Sequence, residues 1–161
     1  MILLTLLLAA GQVTPVAPIV KGTALPPTVM TEEAGVMAPI NGLFAALAAR
    51  DGQAILAQVR ADGSATVAEE GPDGARRVRR TGWAEFAAGL KPGPERYAEK
   101  LTDAAVDIDG DIAMVWSPYI FTVDGRVAHC GTDHFDLVRE AGRWKILNIT
   151  WSKRTTGCPA R

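Results

Sequence analysis

Three tight-turn dipeptides punctuate the C-terminal half of this chain: Asp109-Gly110, Asp124-Gly125 and Ala141-Gly142. Asp-Gly accepts positive φ at both central positions at little cost, so it is the strongest short signal for a two-residue hairpin loop. The segments between these turns are long and rich in β-branched and aromatic residues. From about Tyr97 to Ser152 the chain therefore reads as four strands in a meander. The segments ahead of the meander supply the cover for its apolar face.

Those segments read mainly as helices. Thr31 is placed to cap a helix with Glu32 and Glu33 in its first turn, where acidic side chains suit the helix dipole. Val36, Met37, Ile40, Leu43, Phe44 and Leu47 then recur at helical spacing. Asp51-Gly52 ends that helix, and Asp51 caps a shorter one carrying Ile55, Leu56 and Val59, which Asp62-Gly63 stops. Residues 64–80 read as a short hairpin that turns at Gly71-Pro72-Asp73-Gly74. Its return arm holds Arg76, Arg77, Arg79 and Arg80, the one dense basic cluster. Such a cluster either contacts an anion or guards an edge strand with charge. Thr81 caps a third helix with Trp83, Phe86, Ala87 and Leu90 along one side, and Lys91-Pro92-Gly93-Pro94 ends it.

With 161 residues the chain fits one domain, and 17 Lys+Arg against 18 Asp+Glu exclude the basic footprint of a nucleic-acid binder. Residues 1–20 carry no charge, and Met1 to Ala10 is a leucine-rich run of signal-peptide length, too short to span a bilayer. Ala9-Ala10-Gly11 fits cleavage before Gln12, although no Lys or Arg precedes the run. The reading is a signal at 1–11, a proline-rich linker at 12–30, the folded domain at 31–156 and a tail at 157–161. It implies an exported, periplasmic or secreted protein with no stable membrane insertion once the signal is removed. Cys130 and Cys158 would then form a disulfide, with two buried thiols as the alternative.

Register across the turns gives the strands two faces. Leu137 is set opposite Ile146, Phe135 opposite Asn148 and Asp133 opposite Thr150. Across the middle turn, Ile120 meets His129, Trp116 meets Asp133 and Met114 meets Phe135. Across the first turn, Asp103 meets Trp116. One face then carries Ile112, Met114, Trp116, Ile120, Phe135, Leu137, Trp144 and Ile146, and it is the face the helices should cover. The other carries Ser117, Tyr119, Thr132, His134, Asp136, Lys145 and Lys153, with Val115, Leu147 and Trp151. Asp133 falls among aromatic residues, and Asp103 lies two strands away at about 10 Å. A carboxylate in apolar surroundings has a raised pKa suited to proton transfer. It equally serves as a sheet anchor if it hydrogen-bonds Thr150 or the backbone. Pro118 marks a site for a bulge, which would bring Val115 beside Asp133 in place of Trp116.

Other signals fail on geometry. His129 and His134 are five residues apart on a strand and point to opposite faces, so they do not share a metal. Cys130 and His134 share a face but lie about 13 Å apart, too far for a thiolate–imidazole pair. There is no glycine-rich phosphate loop and no Gly-x-Ser-x-Gly elbow. No cofactor is expected.

The order of elements resembles the nuclear transport factor 2-like superfamily, also called the SnoaL-like or ketosteroid isomerase-like fold. The local match runs from Trp116-Ser117-Pro118-Tyr119 through Asp124-Gly125 and His129-Cys130-Gly131, with Asp133 and Phe135, to Trp144-Lys145-Ile146. It is similar to exported bacterial members described as lumazine-binding, over roughly residues 31–156. The resemblance implies an α+β fold: a cone-shaped half-barrel whose curved, mostly antiparallel sheet is covered by about three helices. It also implies an apolar pocket and a homodimer formed through the sheet.

The expected activity is binding of a small, partly apolar molecule by Trp83, Phe86, Met114, Trp116, His129, Phe135, Asn148 and Asp103. The alternatives are an acid–base enzyme (isomerase, dehydratase or cyclase) using Asp133, and a dimeric interaction module. In the last case Tyr119, Phe121, Leu147 and Trp151 would form the working surface.

Overall fold

A computed structural model of the chain describes residues 27–159. The signal-like run and most of the proline-rich segment lie outside the described residues. Helix α1 spans Pro27–Ala49, so it starts ahead of Thr31, which is not its cap. Proline lacks the N–H that a first helical turn leaves unused, so Pro27 suits a start. The expected stripe is present: Val36, Ile40 and Leu43 are buried, and Met37, Phe44 and Leu47 pack against them.

Asp51 caps α2 (Gly52–Leu56), accepting the Ala54 N–H at 3.0 Å. Val59 does not continue that helix. It opens strand β1 (Val59–Glu70), which turns back into β2 (Arg76–Gly82) at the expected loop. Helix α3 (Trp83–Gly89) has Gly82 at its N-cap, and Thr81 belongs to β2.

The first strand of the expected meander is two strands, β3 (Tyr97–Leu101) and β4 (Ala105–Asp109), both antiparallel to β5 (Ile112–Val123). The break falls opposite Ser117 and Pro118, and proline offers no N–H to a neighbouring strand. The Pro118 carbonyl instead accepts from the Thr102 N–H and hydroxyl. β6 (Arg126–Glu140) and β7 (Arg143–Arg154) complete the meander. The sheet has seven strands in the order β2-β1-β7-β6-β5-β3, with β4 also on β5. Among the described residues its one parallel contact joins β1 to β7. The result is an open, curved, mostly antiparallel half-barrel of α+β class, with the three helices on its concave side.

The turns hold except that the first centres on Gly110 and Asp111, which sets Ala105 rather than Asp103 opposite Trp116. Two bulges correct the register. Between Phe121–His129 and Thr122–Val127 the β6 strand carries an extra residue, Ala128. Between Leu137–Ile146 and Asp136–Asn148 the β7 strand carries an extra residue, Leu147. Pro118 causes no bulge and pairs with Thr132. Each bulge reverses which residues face inward beyond it. Ser117, not Trp116 or Val115, lies opposite Asp133, and Val115 lies opposite Phe135. Trp151, not Thr150, is the other neighbour of Asp133, and Ile149, not Asn148, is that of Phe135.

Close packing secures the second bulge. The Leu147 carbonyl accepts the Trp83 indole N–H at 2.9 Å. β1 crosses so near that a Cβ on Gly63 would sit 1.7 Å from that carbonyl oxygen, leaving room for glycine alone. Cys130 and Cys158 form a disulfide, Cα–Cα 5.6 Å, that ties the tail to β6.

Candidate functional site

The concave face is built from alternate residues of the strands: Val67 and Glu69, Arg79, Glu99, Val115 to Phe121, His129, Asp133 and Phe135, then Ile149, Trp151 and Lys153. Helices α1 and α3 close over one part of it. A chamber of about 160 Å³ lies there. Its roof is Leu43, Phe44 and Leu47 from α1 with Trp83 and Phe86 from α3. Phe121, Ile149 and Trp151 form its apolar floor. Four further ionisable groups, Glu69, Arg79, Glu99 and Lys153, reach it along with His129. Phe86 stands edge-on to both Trp83 and Trp151, which fixes the ring positions of one wall.

Behind Glu99 lies Asp133, with none of its surface exposed. No protein N–H or O–H donates to either of its carboxylate oxygens. The Glu99 carboxyl is its acidic neighbour, and two carboxyls this close in a buried site are held more easily when one is protonated. Burial raises the pKa of Asp133 well above the carboxylate range, and the charge of Glu99 raises it further. Burial likewise raises that of Glu99. The two groups titrate as a pair that keeps a proton at neutral pH.

His129 forms a second element. Its ring stacks on Phe121 at 4.6 Å. Its Nδ1 lies 3.0 Å from the Tyr119 hydroxyl, which also donates to the Ser152 carbonyl at 3.0 Å. A hydroxyl has one proton and a carbonyl only accepts, so this network assigns the ring proton to Nδ1 and leaves the lone pair on Nε2. Burial, with the charge of Lys153, lowers the His129 pKa to about 4. Burial raises that of Tyr119, as do the charges of Asp133 and Glu99. Both groups are neutral at neutral pH.

At the rim the pattern reverses. Glu69 accepts from Lys153 Nζ at 3.0 Å and lies 3.9 Å from Arg79. The Lys153 hydrogen bond, opposed only by partial burial, holds the Glu69 carboxyl below its usual range.

Of the expected site residues, Trp83, Phe86 and His129 line the chamber. Asp133 sits behind it, held away from it by Glu99. Phe135 is core, edge-on to Phe44. Met114 and Trp116 lie on the opposite, outer face, 40% and 52% exposed, displaced by the Ala128 bulge. Asn148 is displaced by the Leu147 bulge and accepts from the Ser64 N–H and hydroxyl. Thr150 moves with it, so it does not anchor Asp133. Asp103 lies in the exposed bend between β3 and β4, its N–H donating to Ser117 Oγ at 3.4 Å. Phe121 and Trp151, read as the opposite surface, line the chamber.

The residues that were missed are Glu99 and Glu69, whereas Arg79 comes from the basic cluster read as an anion contact or a charged edge. Glu99 had a signal: Tyr97, Glu99 and Leu101 alternate with Ala98 and Lys100, which puts the glutamate in phase with the apolar positions. Among the described residues no group of three His, Cys, Asp or Glu side chains is placed to hold a metal ion.

No family model matches the sequence, and no curated protein matches it. Solved structures do match its fold. The proposed β subunit of an aromatic-ring-hydroxylating dioxygenase from Novosphingobium aromaticivorans aligns over 82% of this chain and 95% of its own, with a TM-score of 0.64 and 10% identity. A nuclear transport factor 2-like protein with a cystatin-like fold from the same species covers 81% and 86%, at 0.60 and 16% identity. A nuclear transport factor 2-like protein from Cytophaga hutchinsonii covers 81% and 100%, at 0.59 and 12% identity. At such identities the likeness is one of fold, and the fold is the nuclear transport factor 2-like cone.

Proposed function

We propose that this chain binds a small, partly apolar molecule in the chamber beneath α1 and α3. The observation that carries the reading is a cavity with an aromatic and aliphatic roof and floor, onto which Glu99 and neutral His129 converge and whose other polar lining is Glu69, Arg79 and Lys153. A concave apolar site with few polar groups is the common form of a ligand pocket. Native mass spectrometry of protein purified from its source organism tests it. The expected result is a retained mass that is released on mild activation and lost in Phe86→Asp. A reproducibly empty protein, with no small apolar compound raising its Tm, would sink the reading.

The raised pKa values of the neighbouring Glu99 and Asp133 carboxyls, one at the cavity wall, favour a second reading, an acid–base enzyme. Glu99 is then the group at the cavity wall that gives or takes the proton, Asp133 sets its pKa, and His129 Nε2 accepts a hydrogen bond. Its test is hydrogen–deuterium exchange at the α-carbon of small cyclic ketones, followed by NMR. Catalysed exchange that Glu99→Gln removes supports the enzyme. Exchange equal to buffer removes it.

We also place the protein in an oxidising compartment, in keeping with its disulfide and the signal-like run. A mature N-terminus at Gln12 is the expected result of N-terminal sequencing. A homodimer through the outer sheet face, where Ile112, Met114 and Trp116 are exposed, belongs to the same proposal. So does kinship with exported lumazine-binding members.

A further inference from the structure

Resting on the pocket reading, we infer that the ligand is an elongated organic anion: a one-ring apolar head in the chamber and a carboxylate or similar anion held outside it by Arg79 and Lys91. Size is the first argument. A cavity of about 150 Å³ holds one benzene ring, so the 160 Å³ chamber takes a single ring and little more. Ligand sites are usually larger than this.

The second argument is what adjoins the chamber. A crevice of about 560 Å³ shares Arg79, Phe86 and Trp151 with it. The Phe86–Trp151 contact partitions the two spaces, so a molecule longer than the chamber would leave it past Arg79, the shared residue outside that ring pair. The third argument is charge. Arg50, Arg79 and Lys91 line this crevice against Glu85 alone. Arg50 is committed, donating to the Glu95 carboxylate and carbonyl and lying over the Tyr97 ring. Arg79 is not. Its anionic neighbour, Glu69, is 3.9 Å away and hydrogen-bonded to Lys153 instead. Lys91 donates to the Ala88 carbonyl, which leaves its charge unneutralised.

The chamber is the wrong place for that anion. Beyond Arg79 its charged groups are the paired Glu69 and Lys153 and the Glu99–Asp133 pair, and an added carboxylate beside Glu99 would be a further acid next to an Asp133 that already lacks a donor. This gives the basic cluster of β2 a divided use. Arg77 and Arg79 alternate onto the concave side, whereas Arg76 and Arg80 point to the outer one.

The test uses matched probes on the purified protein: 3-phenylpropanoate and 4-phenylbutanoate, 3-phenylpropan-1-ol, and 3-phenylpropylamine, with affinity read by calorimetry and tryptophan fluorescence. The expected result is carboxylate tighter than alcohol by about tenfold, and alcohol tighter than amine. Arg79→Gln should bring carboxylate and alcohol within about twofold of each other. The same variant should keep its alcohol affinity, which shows that it is folded. Lys91→Gln should produce a smaller loss of the same sign. Alcohol and amine binding as tightly as carboxylate would overturn the charge inference and leave the pocket standing. So would a carboxylate preference that survives Arg79→Gln. Failure of every probe to bind would overturn both.

Discussion

Glu69 and Asp133 lie on the same concave wall and have opposite fates. Glu69, near the rim, meets Lys153 at 3.0 Å, and its pKa is lowered. Asp133, behind the chamber floor, meets no cation and no donor, and its pKa is raised. Both are partly or fully removed from water, so burial alone does not separate them. What separates them is whether a cation is within reach. The wall keeps carboxylate charge where solvent and partners support it and favours the protonated carboxyl where they do not. A pocket built this way presents a polar entrance and a nearly neutral interior.

The largest effect expected from this contrast is at the floor. Glu99 and Asp133 bind a proton more tightly folded than unfolded. Their contribution to stability is therefore full below the ordinary carboxyl pKa and declines as pH rises through their folded values. Urea unfolding should show stability falling between pH 7 and 9. Asp133→Asn should flatten that decline and add about 1–3 kcal/mol at pH 9, since an amide can donate to Glu99. A variant less stable than the parent at pH 9 would break the comparison.

A smaller effect belongs to His129. Its folded pKa of about 4 is below its ordinary value of 6.5, so its contribution is present above pH 6.5 and lost as pH falls toward 4. His129→Gln should remove this acid-side loss, by about 1 kcal/mol at most once partial exposure is discounted. The smallest stability change is at the rim. Glu69→Gln leaves Lys153 without its partner and should cost under about 1 kcal/mol. Its sharper signature is at His129: Lys153 lowers and Glu69 raises the pKa of that ring, so removing Glu69 should lower it further in an NMR titration. An unmoved or raised His129 pKa would show that rim and floor do not communicate.

Much of the fold was legible because turns are local. Asp124-Gly125, Ala141-Gly142 and the Gly71 to Gly74 loop each announce a hairpin through residues that accept positive φ. The site was less legible because it depends on phase carried far from those turns. Two extra residues, Ala128 and Leu147, exchanged the inward and outward sets on parts of three strands. Trp116 and Met114 thereby left the pocket, and Phe121 and Trp151 entered it. No local signal marked either bulge. The Leu147 bulge is supported by Trp83 and Gly63, both distant in sequence. Asp133 was recognisable as an acid among aromatics, but its partner Glu99 sits in a short strand whose polar look concealed an inward glutamate.

The parallel contact of β1 with β7 also governs how the chain reaches this fold. Ser64 meets Asn148 across 84 positions of sequence, whereas the β5–β6 and β6–β7 hairpins close between near neighbours. Contacts that span long loops form late, because the entropy of closure must be met before they return anything. The meander can assemble on its own, but the β1–β2 hairpin has no edge to join until β7 is made. During synthesis β7 emerges after the six other strands of the sheet. The chamber, which takes Ile149, Trp151 and Lys153 from β7, is therefore completed only once that strand has joined β6 and β1, and a chain shortened before Arg143 keeps one side of it and lacks the other.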